Sequence, residues 1–118
     1  MPLHCLIVDD SVPFGEEARG LLEQEGITVV GVATTGDEAV QMAKALRPEL
    51  TLVDISLGTE SGFDVAKRLV TEVGSSKVIL ISTYDEEEFR GKIDASPALG
   101  FIAKTELSAE RIRELLGD

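Results

Sequence analysis

Short apolar runs alternate with amphipathic segments five times along the chain. The runs are Leu3–Val8, Thr28–Val32, Leu50–Val53, Lys77–Ser82 and Gly100–Ala103. Several are almost unbroken in Val, Ile and Leu, the pattern of strands covered on both faces in a parallel sheet. Between them, apolar positions recur at helical spacing. Phe14, Ala18, Leu21 and Leu22 share one face, and Ser11 can cap its start. Ala39, Val40, Ala43 and Leu46 form a second face, with Thr35 and Glu38 as a capping box and Pro48 beyond its end. Ala66, Leu69, Val70 and Val73 form a third, stopped at Gly74. Ile112, Leu115 and Leu116 form the last, capped by Ser108. The alternation predicts an α/β domain: an open parallel sheet of five strands, helices on both faces, and right-handed crossovers.

The fourth helical segment, about Glu86 to Asp94, stands apart. It offers only Phe89 and Ile93 as apolar anchors, and Gly91 lowers its helix propensity. Marginal burial marks an element that can shift at modest cost. The acidic run Asp85–Glu88 suits the positive end of that helix.

Composition narrows the class. The 118 residues are enough for one domain, and 43% of them are hydrophobic, enough for a packed core. Lys and Arg number 11 against 22 Asp and Glu, a formal net charge of −11. Such a surface repels nucleic acid phosphates and anionic membranes, so direct contact with either is not expected. Cys5 is the one cysteine, which excludes a disulfide within the chain and fits a reducing cytoplasm. It lies in an apolar run, where a buried, inert thiol is expected. The first apolar run is too short for a secretory signal and ends in two aspartates, and no stretch approaches a membrane span.

Open α/β sheets bind ligands outside the carboxyl ends of their strands. Here strand one ends in Asp9-Asp10, strand three in Asp54, strand four in Ser82-Thr83, and strand five runs into Lys104. Converging carboxylates repel one another by about 4 kcal/mol per pair at about 4 Å in a medium of effective dielectric constant about 20. An all-oxygen set of this kind suits Mg2+. A carboxylate beside a divalent cation and a lysine can attack phosphorus to give an acyl phosphate. Asp54 is the candidate nucleophile, Lys104 a partner for phosphoryl oxygens, and Ser82 a hydroxyl donor.

The runs Leu6-Ile7-Val8-Asp9-Asp10, Leu52-Val53-Asp54-Ile55, Val78-Ile79-Leu80-Ile81-Ser82-Thr83 and Gly100-Phe101-Ile102-Ala103-Lys104 together resemble the response-regulator receiver domain of two-component signalling. The resemblance spans essentially all of residues 1–118. It implies the flavodoxin-like (βα)5 three-layer sandwich with strand order 2-1-3-4-5. It further implies that Asp54 is the phosphoacceptor, that Asp10 ligates Mg2+ directly and Asp9 through water, and that Ser56 offers a backbone carbonyl to the metal. Ser82 matches the switch hydroxyl, Lys104 the phosphate-binding lysine, and Phe101 the switch aromatic. Ser56 and Tyr84 occupy positions that tune hydrolysis. Leu57-Gly58 departs from the Met-Pro or Leu-Pro pair common after the acceptor, and the missing proline frees that loop. Gly62 matches the glycine that begins the third helix. Lys104 is followed by Thr105 where the family commonly has a proline.

The resemblance implies phosphotransfer from a sensor histidine kinase and a switch of the fourth helix, fifth strand and fifth helix. Thr83-Tyr84-Asp85 and the run Lys104-Thr105-Glu106-Leu107-Ser108 are similar to receivers joined to a helix-turn-helix DNA-binding domain, so the output is expected in transcription, through a domain or effector outside these residues. A homodimer is compatible with this reading. No enzymatic turnover of an external substrate is expected. Alternatives are a stand-alone receiver, a pseudo-receiver acting as a protein-interaction module, and a phosphatase with a nucleophilic aspartate. A flavin-binding relative is disfavoured because Asp9-Asp10 would repel the flavin phosphate.

Overall fold

The computed structural model describes residues 3–74, 77–84 and 86–117. Asp85, first of the acidic run expected before the fourth helix, lies outside the described residues, as does Asp118. The chain forms β1 (Leu3–Val8), α1 (Val12–Gln24), β2 (Ile27–Ala33), α2 (Gly36–Leu46) and β3 (Leu50–Asp54). A hairpin of two-residue strands follows, β4 (Ser56–Leu57) and β5 (Glu60–Ser61). Then come α3 (Gly62–Arg68), β6 (Lys77–Ser82), α4 (Glu86–Ala95), β7 (Gly100–Ala103) and α5 (Ala109–Leu116). The main sheet is parallel with order β2-β1-β3-β6-β7, which is the expected 2-1-3-4-5 once the hairpin is set aside.

The unbroken apolar runs have a simple cause: both faces of the sheet are covered. Leu6, Val8, Val53, Val78 and Leu80 pack under α2, α3 and α4, while Cys5, Ile7, Leu52, Ile79 and Ile81 pack under α1 and α5. Burying a side chain of this size contributes about 1.5–3 kcal/mol; apart from Thr51 inside β3, the buried polar side chains Asp9, Asp54 and Ser82 stand at the strand ends. The caps form as the sequence predicts. Ser11 accepts from Phe14 N–H, Thr35 from Glu38 N–H and Ser108 from Arg111 N–H. Glu38 returns its carboxylate to Thr34 N–H rather than to Thr35, a capping box shifted by one residue.

Three residues assigned to buried helix faces are exposed instead: Leu21, Leu46 and Val70. Leu21 sits at the margin of the α1 stripe, and Gly15 occupies the opposite, buried margin. A Cβ at Gly15 would lie 2.8 Å from Val32 Cγ1, so α1 leans toward β2 and away from Leu21. Leu46 is the last residue of α2, where the helix leaves the sheet. Val70 lies in a π-helical turn, Leu69–Val73, closed by Gly74 N–H to Leu69 O. The wider turn changes the phase of the helix, so Leu69 stays buried and Val70 turns outward. The fourth helix has the sparse anchoring expected, with Ile93 buried and Phe89 half-buried. Among the described residues no helix is long and apolar enough to cross a membrane.

Candidate functional site

Strand register assembles the site. Val8 pairs with Val53, which sets Asp9 abreast of Asp54. Asp54 pairs with Ile81, so Ser82 follows at the next position, and Ser82 pairs with Ala103, whose neighbour is Lys104. Four strand ends therefore deliver their polar residues to one edge of the sheet. Ligand oxygens of Asp9, Asp10 and Asp54 all lie within 4.8 Å of one another. Asp9 and Asp54 are buried and Asp10 is exposed, so the cluster opens to solvent on one side.

Lys104 is the counter-charge. Its Nζ lies 2.7 Å from Asp9 Oδ2 and 3.1 Å from Asp54 Oδ2. Burial works against the ammonium, but the two carboxylates outweigh it and raise the pKa of Lys104 above its ordinary value. Asp54 is also raised. Burial is the largest cause, the Ser56 N–H and Lys104 act against it, and Asp9 adds a smaller push upward. The remaining acceptor sites are occupied by backbone. Asp54 Oδ1 accepts from Ser56 N–H at 3.1 Å and Asp9 Oδ1 from Ser11 N–H at 2.8 Å. These bonds fix both carboxylates in position.

The other candidate residues fall around this centre. Ser82 is buried, and its hydroxyl accepts from Tyr84 N–H at 3.0 Å. Tyr84 is exposed and meets Phe89 of α4 edge-on, with ring centroids 6.1 Å apart. Ser56 is exposed. Phe101 pairs with Leu80, two positions before Ser82. It is buried in β7 and borders a cavity of about 230 Å³ lined also by Glu86, Ala103, Thr105, Glu106 and Arg111, between α4 and α5.

Two neighbours were not singled out from sequence. The ring of Phe14 lies 4.2 Å from Lys104 Nζ, a cation–π contact from the first turn of α1. Its signal was its place one turn beyond Asp9-Asp10, which the helical face assignment masked. The loop after Asp54 is not free despite the missing proline. Ser56 pairs with Ser61 and Leu57 with Glu60, and Gly62 N–H donates to Ile55 O at 2.7 Å. Gly62 is required there, because any Cβ would overlap the Asp54 carbonyl.

The donor set fits a hard divalent cation: three carboxylates with no nitrogen or sulfur ligand, partly open to water. The arrangement can hold such an ion beside Asp54 and can neutralise a phosphoryl group with Lys104.

Comparisons with known proteins agree with this geometry. The chain is 29% identical to the uncharacterized transcriptional regulatory protein YxjL of Bacillus subtilis over 93% of its own length and 51% of that protein. It is 27% identical to the response regulator GacA of Pseudomonas viridiflava over 96% of its length and 53% of GacA. The chain thus spans about half the length of these curated relatives. Among solved structures, it superposes on the signal receiver domain of a modulated diguanylate cyclase from Desulfovibrio desulfuricans G20 with a TM-score of 0.82 and 30% identity, covering 99% of this chain and 92% of that one. Residues 5–116 match the response regulator receiver domain, and the chain belongs to that family.

Proposed function

We propose that this receiver domain accepts a phosphoryl group on Asp54 from the phosphohistidine of a sensor histidine kinase and passes the signal to an output domain or effector, in transcription regulation within the cytoplasm. The observation that carries the reading is the Lys104 ammonium held between Asp9 and Asp54, with Asp10 beside them, at the carboxyl edge of the sheet. Asp9, Asp10, Asp54 and the Ser56 carbonyl would hold Mg2+. Bound there, the ion would offset the charge that phosphoryl oxygens bring to an acidic site.

The chain's own groups do the rest. An Asp54 carboxylate oxygen attacks phosphorus as the phosphorus–nitrogen bond breaks, and the electron pair leaves with the imidazole. Ser56 N–H holds the other Asp54 oxygen, which orients the carboxylate for attack. Lys104 exchanges part of its pairing with Asp54 for a phosphoryl oxygen. Ser82 turns its hydroxyl to the phosphoryl group and weakens its bond to Tyr84 N–H. That shift biases α4, β7 and α5 between two arrangements, with Phe101 responding against the adjoining cavity. Ser56 and Tyr84, both exposed at the rim, govern the access of water to the acyl phosphate. Turnover of external phosphate esters is not part of this function, and a homodimer through the switched face is compatible with it.

The test is direct. Incubation with Mg2+ and acetyl phosphate should add one phosphoryl mass to the intact protein, and Asp54→Ala should abolish the addition. Undiminished addition to Asp54→Ala, or none to the wild type, contradicts the assignment. Steady release of product from a phosphate ester would favour a phosphatase instead.

A further inference from the structure

The hairpin β4–β5 lies between Asp54 and α3; Leu57 is buried in the core, Ser61 caps α3, and Glu60 reaches across to α2. Glu60 Oε1 accepts from Gly36 N–H at 2.9 Å. Gly36 is the first residue of α2, and its amide is one of the donors that a helix cannot satisfy internally. A carboxylate at that end also complements the helix dipole. The fit is tight. A Cβ at Gly36 would lie 2.6 Å from Glu60 Oε2 and 2.9 Å from Val65 Cγ2. Glycine at 36 and glutamate at 60 are therefore matched. α2 in turn is fixed to α3 by Asp37 and Arg68, 2.9 Å apart.

The same hairpin carries Ser56, whose N–H donates to Asp54 Oδ1 and whose strand partner Ser61 adjoins Glu60. We infer that Glu60 is a positioning residue: it straps the loop after Asp54 to the start of α2 and so sets the Ser56 backbone against the acidic cluster. This rests on the proposed role of Asp54 and of the Ser56 carbonyl. With Glu60 released, the hairpin keeps its internal bonds and the buried Leu57 but loses its tie to α2, and Ser56 shifts more readily relative to Asp9 and Asp10. Glu60 is exposed, so its replacement leaves the core untouched.

The experiment compares wild type, Glu60→Ala, Glu60→Gln, Gly36→Ala and the Glu60→Ala/Gly36→Ala double variant by calorimetric titration of the folded proteins with MgCl2, and by hydrogen exchange at the Ser56 amide. Loss of a group that orients a ligand typically weakens metal affinity about tenfold or more, so Glu60→Ala should bind Mg2+ about tenfold more weakly. Glu60→Gln keeps an acceptor oxygen and should recover most of the affinity. Gly36→Ala should weaken binding at least as much as Glu60→Ala, because its methyl meets Val65 Cγ2 as well as Glu60, and the double variant should fall no further than Gly36→Ala alone. Ser56 exchange should quicken in Glu60→Ala while Leu52 stays protected. An unchanged Mg2+ Kd in Glu60→Ala overturns the strap, as do single effects that simply add. A wild type that binds Mg2+ but takes no phosphoryl group would overturn the phosphoacceptor reading alone, since the titrations still decide on Glu60.

Discussion

Asp54 carries a cost that neighbouring residues only partly offset. Burial raises its pKa above the ordinary 3.8, and Asp9 adds to the rise despite Ser56 N–H and Lys104. The sign follows from proton linkage. As pH climbs above the ordinary value, the unfolded chain ionises first, so the folded state loses relative stability and is taxed at neutral pH. Asp54→Asn removes that charge, keeps an acceptor for Ser56 N–H, and leaves Lys104 paired with Asp9 at 2.7 Å. In chelator at neutral pH, the Asn variant should be more stable than wild type; urea denaturation measures it, and a less stable variant would refute the imbalance. Cys5 makes a second residue-scale case. Burial pushes its thiol from 9.0 up to about 12. Between those values the unfolded thiol loses its proton while the folded one keeps it, so stability should fall as pH rises, by up to about 1.4 kcal/mol per pH unit. Cys5→Ala should flatten that slope, and native Cys5 should resist a thiol reagent at pH 8 until denaturant is added. Rapid labelling of the native protein would contradict the burial.

Among the elements, α4 is the least anchored, and its glycine shows why. Gly91 is exposed and a Cβ there would meet nothing within 4 Å. Gly91→Ala should stabilise the protein by about 1 kcal/mol through helix propensity, a rise of about 4 °C in Tm for a chain of this size. If α4 moves on signalling, the same change should also slow or bias that movement. Gly62→Ala should do the reverse and cost about 3 kcal/mol or more, because the methyl has no space beside the Asp54 carbonyl. Thermal melts of the two variants separate a glycine that is tolerated from one that is required; equal effects would contradict the packing. The same contrast explains what the sequence revealed. Strands buried on both faces announce themselves as apolar runs, and an acidic residue at the end of such a run is conspicuous, so the five strands and the cluster of Asp9, Asp10, Asp54 and Lys104 were legible, while the strand order came from the family resemblance. The hairpin was not. Two-residue strands have no periodicity to detect, and the Glu60–Gly36 contact joins residues 24 positions apart through one side chain. The outward turn of Val70 was hidden for a related reason: a π turn changes the helical phase without any special residue to mark it beforehand. Phe14 was visible only as an apolar helix residue, because a ring that packs against the core and one that faces an ammonium have the same sequence signature.

The whole molecule carries a formal charge of −11, and this confuses the most obvious metal experiment. Any cation stabilises so acidic a chain by screening repulsion between exposed carboxylates. A rise in Tm with Mg2+ is therefore no evidence for a site unless the diffuse part is removed. The structure supplies the means. Asp10 is the exposed member of the cluster, so Asp10→Asn takes away one ligand without opening the core. It also changes the net charge by only one unit in a total of eleven. Wild type and Asp10→Asn should gain Tm equally with NaCl. With MgCl2 at matched ionic strength, wild type should gain more. At a free concentration about ten times Kd, site binding adds about 1.4 kcal/mol, or about 5 °C, and Asp10→Asn should lack most of that excess. Equal gains in the two proteins would mean that Mg2+ acts as a general counterion. Asp9 and Asp54 would then have Lys104 as their counter-charge, and the phosphoryl-transfer reading would lose its metal.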